Sequence, residues 1–313
     1  MTKKIPSIIK EIKSFEPINI NYSFQKSISY SQFSMYKQCP KKWSLQYRDG
    51  HKIDEQSIYF VFGTALHETL QHYLDIMYEK SISEADKIDI EDHFKKGLME
   101  EYNSSYKKNN NLHFSSAEEL REFYEDGIAI LDFFKKKRGK YFSKRGWYLV
   151  GCEVPVILTP NKRYPNVIYQ GHLDVVLYNE YTQSFKIIDI KTSTRGWHDK
   201  TKKDENKQFQ LILYKKFFAK QFNIPLDKIN IEFFIVKRKI WEESDFPISR
   251  IQTFTPASGK VKLNKADKEL NEFLESAFTK EGYSQKDHQP KLNNHCQYCS
   301  FYKTHLCPAT FEK

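Results

Sequence analysis

The sequence predicts a mixed α/β fold in which a β-sheet is flanked by helices. Three observations support this fold class. The stretch 167–191, VIYQGHLDVVLYNEYTQSFKIIDIK, has two β-branched and aromatic runs around a short polar turn, which is typical of a β-hairpin. Apolar residues recur with helical spacing in long segments between residues 64 and 137. After residue 191, helical and strand-like segments alternate, as expected for helices that pack on a sheet.

Composition limits the class of protein. With 313 residues and 39% hydrophobic content, the chain can bury a sizeable core without help from a cofactor. The formal charge of +10 favours a polyanionic partner. No apolar run approaches the roughly 20 residues of a membrane span, and the N-terminus lacks the apolar core of a secretory signal. We therefore expect no membrane partner and an intracellular, cytoplasmic location, which includes a phage-encoded protein acting inside a bacterial host.

The first part of the chain is expected to be mostly helical. Residues 1–28 form an N-terminal arm with at most one short helix, from Ile8 to Ser14. A short helix then follows, which Ser31 caps and Pro40 stops.

A long helix is expected to begin at Thr64, a suitable N-cap residue, and His67 would lie in its first turn. Two more helical patterns, over residues 84–107 and 116–137, complete a helical insertion at about residues 64–145.

The remainder combines strands with helices. We expect strands at residues 147–158, 229–236 and 250–254, helices at residues 208–222 and 262–278, and a mobile polar loop at residues 192–207. We therefore divide the chain into the arm and one domain over residues 29–313. That domain has a core at about 146–256 and a C-terminal helix with a cysteine-rich tail at about 257–313.

Two acids face each other in the predicted hairpin. If residues 180–183 form the loop, Asn179 pairs with Ser184, and the same register places Asp174 opposite Asp189. Directly opposed Cβ atoms are about 5 Å apart, so two like charges there are unfavourable unless a cation lies between them. A divalent cation such as Mg²⁺ fits, because it binds oxygen ligands.

Lys191 lies two residues beyond Asp189, so the strand period points both side chains to one face of the sheet. A lysine there could orient or deprotonate an attacking water and offset charge in the transition state. The alternative is a surface hairpin with ordinary cross-strand charges. The apolar residues around the acids favour a buried site, because buried acids usually have a function.

Other candidate residues carry little weight alone. His67 would be read as an ordinary helix-terminal histidine, and Gln210 with Tyr214 as a polar helix face. Residues 135–145 contain seven positive charges, for which a solvated helix end and a phosphate-contacting patch are equally good interpretations.

Four short motifs nevertheless occur in a fixed order: G-x-x-x-H at Gly63–His67, G-x-x-D at Gly171–Asp174, D-x-K at Asp189–Lys191 and Q-x-x-x-Y at Gln210–Tyr214. Together they resemble the RecB-like branch of the PD-(D/E)XK nucleases. The resemblance spans about residues 29–308, because an opening S-x-S-x-F-x-x-Y-x-x-C-P and the cysteine-rich tail are also similar to that branch. It implies a restriction-endonuclease-like mixed β-sheet core flanked by helices, with a helical insertion and a C-terminal metal-binding tail.

The resemblance also implies residue roles. Mg²⁺ or Mn²⁺ would be bound by four groups: His67, Asp174, Asp189 and the backbone carbonyl of Ile190. Lys191 would be the catalytic lysine. Gln210 and Tyr214 would line the site and contact DNA or the lysine, and Glu153 corresponds to a strand acid seen near such sites.

Five cysteines, an odd number in a reducing compartment, favour metal ligands or free thiols over disulfides. Cys296 and Cys299 form a C-x-x-C pair in the tail, and Cys307 follows. AddB-type and CRISPR-associated adaptation nucleases of the same branch have one early and three late cysteines, which bind a 4Fe–4S cluster. Cys39 and the tail have this layout, so the resemblance implies a cluster that joins the two ends of the chain.

The gap before Cys307 is longer than in those nucleases. This leaves zinc as an alternative, with His295 or His305 in place of a cysteine. The number of thiolates and the resemblance favour iron–sulfur. Cys152, within a predicted strand, is expected to be a small buried apolar residue.

These features predict metal-dependent hydrolysis of DNA phosphodiesters, by an exonuclease in recombination, repair or phage replication. The competing hypothesis is a catalytically idle DNA-binding or scaffold subunit of a larger nucleic-acid-processing complex. The complete set of two acids and a lysine favours the enzyme. The expected partner is DNA, single-stranded or with free ends. Since no G-x-x-x-x-G-K loop occurs, unwinding would need a helicase or another replication or recombination protein.

Overall fold

A mixed β-sheet forms the centre of the molecule in the computed structural model, which describes residues 5–51, 56–241, 244, 246 and 248–309. Its six described strands are β1 (Lys26–Ile28), β2 (Trp147–Leu158), β3 (Val167–Asn179), β4 (Ser184–Ser193), β5 (Ile229–Lys237) and β6 (Ile251–Phe254). The strand order is β1, β3, β4, β5, β6, and β2 pairs with β3 outside this path. The β1–β3 and β4–β5 pairs are parallel, and the remaining pairs are antiparallel.

Strand β3 pairs with three others. β2 covers one edge of β3 almost from end to end. On the other edge, β1 pairs with residues 167–169 and β4 pairs with residues 175–179. Residues 170–174 therefore have no strand partner on that edge. The candidate active-site residues lie at this opening between β3 and β4.

Helices cover both faces of the sheet. The described helices are α1 (Ser7–Lys13), α2 (Tyr30–Gln38), α3 (Pro40–Trp43), α4 (Ile58–Glu79), α5 (Ile82–Asp86), α6 (Ile90–Lys108), α7 (Ala117–Lys137), α8 (Asp199–Lys203), α9 (Glu205–Phe222) and α10 (Lys260–Ala277). None of the helices in the described ranges is both long enough and apolar enough to cross a bilayer.

The strand period of two divides the core into two layers. On one face, Val175 and Ile188 pack in the cluster formed by α4, α6 and α7. On the other face, Val176 and Ile187 pack in the cluster that includes residues of α2, α9 and α10. The predicted mixed α/β fold class is thus confirmed, and so are the 147–158 strand and the hairpin with its Asn179–Ser184 pair.

The start of the long helix differs from the prediction. Helix α4 begins at Ile58, and its N-cap is Ser57, whose hydroxyl accepts a hydrogen bond from the N–H of Tyr59. Thr64 lies within the helix, and His67 lies in the third turn rather than the first. The apolar residues before Thr64, which the prediction assigned to no element, form the first two turns.

Smaller differences concern short elements. Ser29, not Ser31, caps α2, since its side chain accepts from the N–H of Gln32. The predicted arm contributes β1 to the sheet, besides the short helix α1 that was expected. The 84–107 pattern is split into α5 and α6, and the expected loop at 192–207 contains α8. The division into an arm and one domain stays a prediction.

Two helical glycines provide a test of helix packing, because Gly127 of α7 faces α6 and Gly97 of α6 faces α4. A Cβ on Gly127 of α7 would overlap the ring of Phe94 on α6, whereas a Cβ on Gly97 would meet its nearest atoms at an ordinary 3.8 Å. Alanine is favoured over glycine in a helix by up to about 1 kcal/mol. Gly97→Ala should therefore stabilise the protein, while Gly127→Ala should destabilise it by about 1–3 kcal/mol through overpacking. Urea unfolding of both variants measures this, and equal shifts would contradict the packing described.

Candidate active site

The two acids of the hairpin lie where β3 and β4 separate. The paired residues run from Asn179–Ser184 to Val175–Ile188, and Asp174 and Asp189 are the next residues along each strand. Instead of a further ladder pair, an Asp174 carboxylate oxygen accepts the backbone N–H of Ile190 at 2.7 Å. The predicted register therefore brings both acids to the opening of the sheet.

Asp189 and Lys191 form an ion pair on one face of β4. The Lys191 Nζ lies 2.8 Å from Asp189 Oδ2, as their spacing of two residues predicts. Asp189 is only 1% exposed. Apart from this ion pair, neither of its carboxylate oxygens has a hydrogen-bond partner among the described residues. A buried carboxylate with so few partners favours the binding of an additional cation.

Burial has the largest effect on the pKa values of Asp174, Asp189 and Lys191. Burial raises the pKa of Asp189, and the positive charge of Lys191 opposes this shift. Burial and the charge of Asp189 raise the pKa of Asp174 well above its usual range, against the effect of Lys191 and the Ile190 N–H. Burial would lower the pKa of Lys191, but the two acids outweigh it and raise that pKa. Lys191 is therefore an ammonium at neutral pH.

His67 reaches the same opening from α4. Its Nδ1 lies 3.6 Å from Asp174 Oδ2. Burial, followed by the charge of Lys191, lowers the pKa of His67 to about 4, although a hydrogen bond to the backbone of Ile190 opposes this. The imidazole is therefore neutral at pH 7, which is the form that binds metal ions.

A glutamine that sequence reasoning missed connects the third acid to the site. Gln71 lies one turn after His67 on α4, and its Nε2 donates to Glu153 Oε1 at 2.6 Å and to the carbonyl of Asp174 at 3.0 Å. Glu153 lies between two β2–β3 pairs, opposite Asp174, with a positive φ of 51°. Its charge contributes to the raised pKa of Asp174. The i, i+4 spacing from His67 was the signal that could have identified Gln71.

Gln210 and Tyr214 approach from α9. The Gln210 Nε2 donates to the Tyr214 hydroxyl at 3.4 Å, so the predicted shared face exists. Burial raises the pKa of the Tyr214 phenol, which keeps it protonated. A Cβ on Gly171 would lie 2.8 Å from Cε1 of Tyr214. The glycine of the G-x-x-D motif thus lets this ring lie directly against β3.

A cleft of about 770 Å³ opens beside Lys191 and Gln210. Lys191 and Gln210 line it, together with residues from α2, from the start of α9 and from the C-terminal tail. Tyr30, on α2, lines the cleft and was not predicted from the sequence; burial and then the charge of Asp204 raise its pKa.

The site has donor atoms that suit a divalent cation, but they are not grouped as metal ligands in the described part of the structure. Carboxylates, a neutral imidazole and a backbone carbonyl are suitable donors for Mg²⁺ or Mn²⁺. Within the described ranges, however, no three His, Cys, Asp or Glu residues are grouped closely enough to bind a metal ion as they stand. The Lys191 ammonium lies 2.8 Å from the Asp189 carboxylate that a metal would share. The donor chemistry fits, and the buried, underpartnered carboxylate of Asp189 supports it.

The four cysteines with the predicted layout line one small cavity, although they too are not arranged as a metal-ligating group. Cys39, between α2 and α3, accepts the N–H of Lys42 and that of Lys291, both at 3.5 Å. Cys296 accepts the N–H of Asn293 at 3.5 Å. Cys152 lies apart in β2, where its Sγ contacts the carbonyl of Gln71 at 3.9 Å.

The basic run at the end of α7 is partly bound to the protein itself. Arg138 pairs with Asp86 at 2.7 Å, and Lys135 donates to the backbone carbonyl of the same residue. Lys144 donates to the carbonyl of Lys80. The run does not line the cleft described above. These contacts favour a structural role for three of the cations, and the two interpretations of the run as a whole stay open.

The sequence also matches a known family of proteins. Residues 27–308 match the sequence profile of the PD-(D/E)XK nuclease superfamily. This range contains all of β1 except Lys26, the hairpin with its two acids and lysine, and the tail through Cys307. No curated protein sequence matches the chain significantly. The chain belongs to the PD-(D/E)XK nuclease superfamily.

Proposed function

We propose that this protein is a Mg²⁺- or Mn²⁺-dependent deoxyribonuclease of the RecB-like branch. Members of its superfamily are typically metal-dependent nucleases. The observation that carries the proposal is the convergence of Asp174, Asp189 and Lys191 where β3 and β4 separate, with the neutral His67 beside them. Buried acids with raised pKa values, close to a cleft, are typical of catalytic sites.

His67, Asp174, Asp189 and the carbonyl of Ile190 would hold the metal ion. When bound, Mg²⁺ or Mn²⁺ would act as a Lewis acid on the phosphodiester and lower the pKa of water. The protein contributes the positions of the ligands. The Ile190 N–H holds one oxygen of Asp174, and Gln71 holds the backbone carbonyl of the same residue.

Lys191 would orient the attacking water and offset negative charge on the phosphoryl group as it develops. Its raised pKa favours this role over deprotonation of water, because an ammonium has no free electron pair for a proton. Gln210 and Tyr214 would bind the substrate or hold Lys191, since Gln210 lines the same cleft as the lysine.

The proposed substrate is DNA that is single-stranded or has free ends, and the proposed reaction is exonucleolytic. A cleft with one lysine beside the acids and others along its walls suits a strand held by its phosphates. The formal charge of +10 is consistent with such a partner. A role in recombination, repair or phage replication, together with a helicase, would follow from this activity.

Substitution of Asp189 and Lys191 tests the proposal. Asp189→Asn replaces an anionic metal ligand with a neutral amide, and Lys191→Ala removes the cation beside it; each should lower cleavage of end-labelled DNA by a factor of about 10² or more. Lys186→Ala is a matched control, because this lysine lies on the same strand but pairs with Glu232. Melting curves must show that the variants are folded. Cleavage within tenfold of wild type in a folded Asp189→Asn variant would rule out the assignment.

The metal requirement is testable with the unmodified protein. Dialysis against a chelator should abolish cleavage, and added Mg²⁺ or Mn²⁺ should restore it, while Ca²⁺ should restore less because it is larger and tolerates irregular geometry. Cleavage of DNA by protein freed of divalent cations would contradict the proposed ligand set.

We further propose that Cys39, Cys296, Cys299 and Cys307 bind a 4Fe–4S cluster. Their lining of one cavity supports this, and so do the backbone N–H groups directed at Cys39 and Cys296, since such hydrogen bonds tune iron–sulfur centres. His295 lines the same cavity, so the zinc alternative retains one histidine; His305 does not line it.

Iron content distinguishes the two metals. Protein purified without oxygen should be brown and contain about four irons per chain. Cys39→Ser should lose the metal, whereas Cys152→Ser, which changes the cysteine outside the cavity, should keep it. A colourless protein with one zinc that is lost in His295→Ala would establish the alternative.

A further inference from the structure

One wall of the active-site cleft is formed by residues that belong to none of the four sequence motifs. Besides Lys191 and Gln210, the cleft is lined by Lys291, Asn293 and His295, which belong to the segment before the C-x-x-C pair. This segment, residues 291–295, also borders the cysteine cavity, since Asn293 and His295 line both spaces. One short loop therefore separates the catalytic residues from the cysteines.

Two acids, Glu205 and Asp204, line the cleft and already have partners in the protein. Glu205 pairs with Lys262 at 2.7 Å and with Lys265 at 2.5 Å, and these two lysines lower its pKa to about 2. Asp204 caps α9 and accepts the N–H of Asn206 at 2.9 Å. The negative charge of Glu205 is therefore already balanced within the protein, and one oxygen of Asp204 is occupied by the cap.

Two cations of the cleft remain without a carboxylate. Lys37 pairs with Glu269, but for Lys207 and Lys291 no acid lies within ion-pair distance in the described part of the chain. The Lys207 ammonium lies over the Trp197 ring, 5.5 Å from its centroid. Within the described ranges, the Lys291 ammonium donates to the carbonyl of Lys37 alone, at 3.3 Å. Both lysines line the same cleft as Lys191, so the cleft has an excess of positive charge.

The loop is held by cysteine sulfur. The N–H of Lys291 is directed at Cys39 Sγ, and the N–H of Asn293 at Cys296 Sγ, both at 3.5 Å. The Asn293 side chain also donates to the carbonyl of Gln38 at 3.0 Å. The position of Lys291 in the cleft therefore depends on the same thiols that line the cysteine cavity.

We propose that Lys291 and Lys207 bind phosphates of the substrate strand in the cleft beside the catalytic group, and that Cys39 positions Lys291 for this contact. The inference rests on the proposed function and assigns to the tail a direct role in substrate binding. Two unpaired ammonium groups along one cleft suit a phosphodiester backbone, which offers successive anionic groups.

The test is the salt dependence of binding to a single-stranded oligonucleotide, measured without divalent cations so that no cleavage occurs. Each phosphate contact contributes about 0.7 to the slope of log K against log salt for a single strand. Lys291→Ala should reduce the slope by this amount, and Lys291→Arg should retain it. Lys286→Ala is the matched control. Lys286 is five residues before Lys291 and has the same charge, but its side chain does not line the cleft.

The role of Cys39 is tested in the same assay. Cys39→Ala removes the sulfur that holds Lys291, so its slope should fall as in Lys291→Ala, and the double variant should fall no further. An unchanged slope in Lys291→Ala, or additive losses in the double variant, would overturn the inference. These outcomes are distinct from a failure of the proposed function, in which the wild-type protein itself would neither bind nor cleave DNA.

Discussion

Two carboxylates of like charge lie together in the buried end of one hairpin, and much of the structure depends on how this charge is accommodated. One more ladder pair beyond Val175–Ile188 would place Asp174 and Asp189 directly opposite each other, about 5 Å apart. The strands separate there instead. The Ile190 N–H, which could have continued the ladder, binds Asp174, and Lys191 binds Asp189. The end of strand pairing is thus the feature that makes a cation-binding site possible.

The separation of β3 and β4 leaves an open sheet edge, which would attract other strands unless it were covered. β1 pairs with the first residues of β3, so only residues 170–174 stay without a strand partner on that side. Tyr214 packs over the face of β3 at this point, because Gly171 has no side chain to hold the ring away.

The hairpin, its register and the placement of Asp174, Asp189 and Lys191 could be predicted because strand period and turn position are local properties of the sequence. The start of α4 was missed because Thr64 is a good N-cap in isolation, while the apolar run before it carries no clear helical period. β1 has three residues and owes its conformation to β3, so no local pattern could reveal it. Gln71 is a polar residue on a helix until the fold brings Glu153 to it.

The cleft depends on contacts of another kind. The acids and the lysine come from 18 consecutive residues, 174–191, whereas the hydrogen bond from Lys291 to Cys39 joins residues 252 positions apart. Closing so long a loop costs conformational entropy, and one N–H···S contact at 3.5 Å compensates for little of it. A metal centre on the four thiols would supply the missing stability, because ligands from both ends would then be held by strong bonds. On this argument the proposed cluster matters for catalysis through the wall it fixes beside Lys191, rather than through any chemistry of its own.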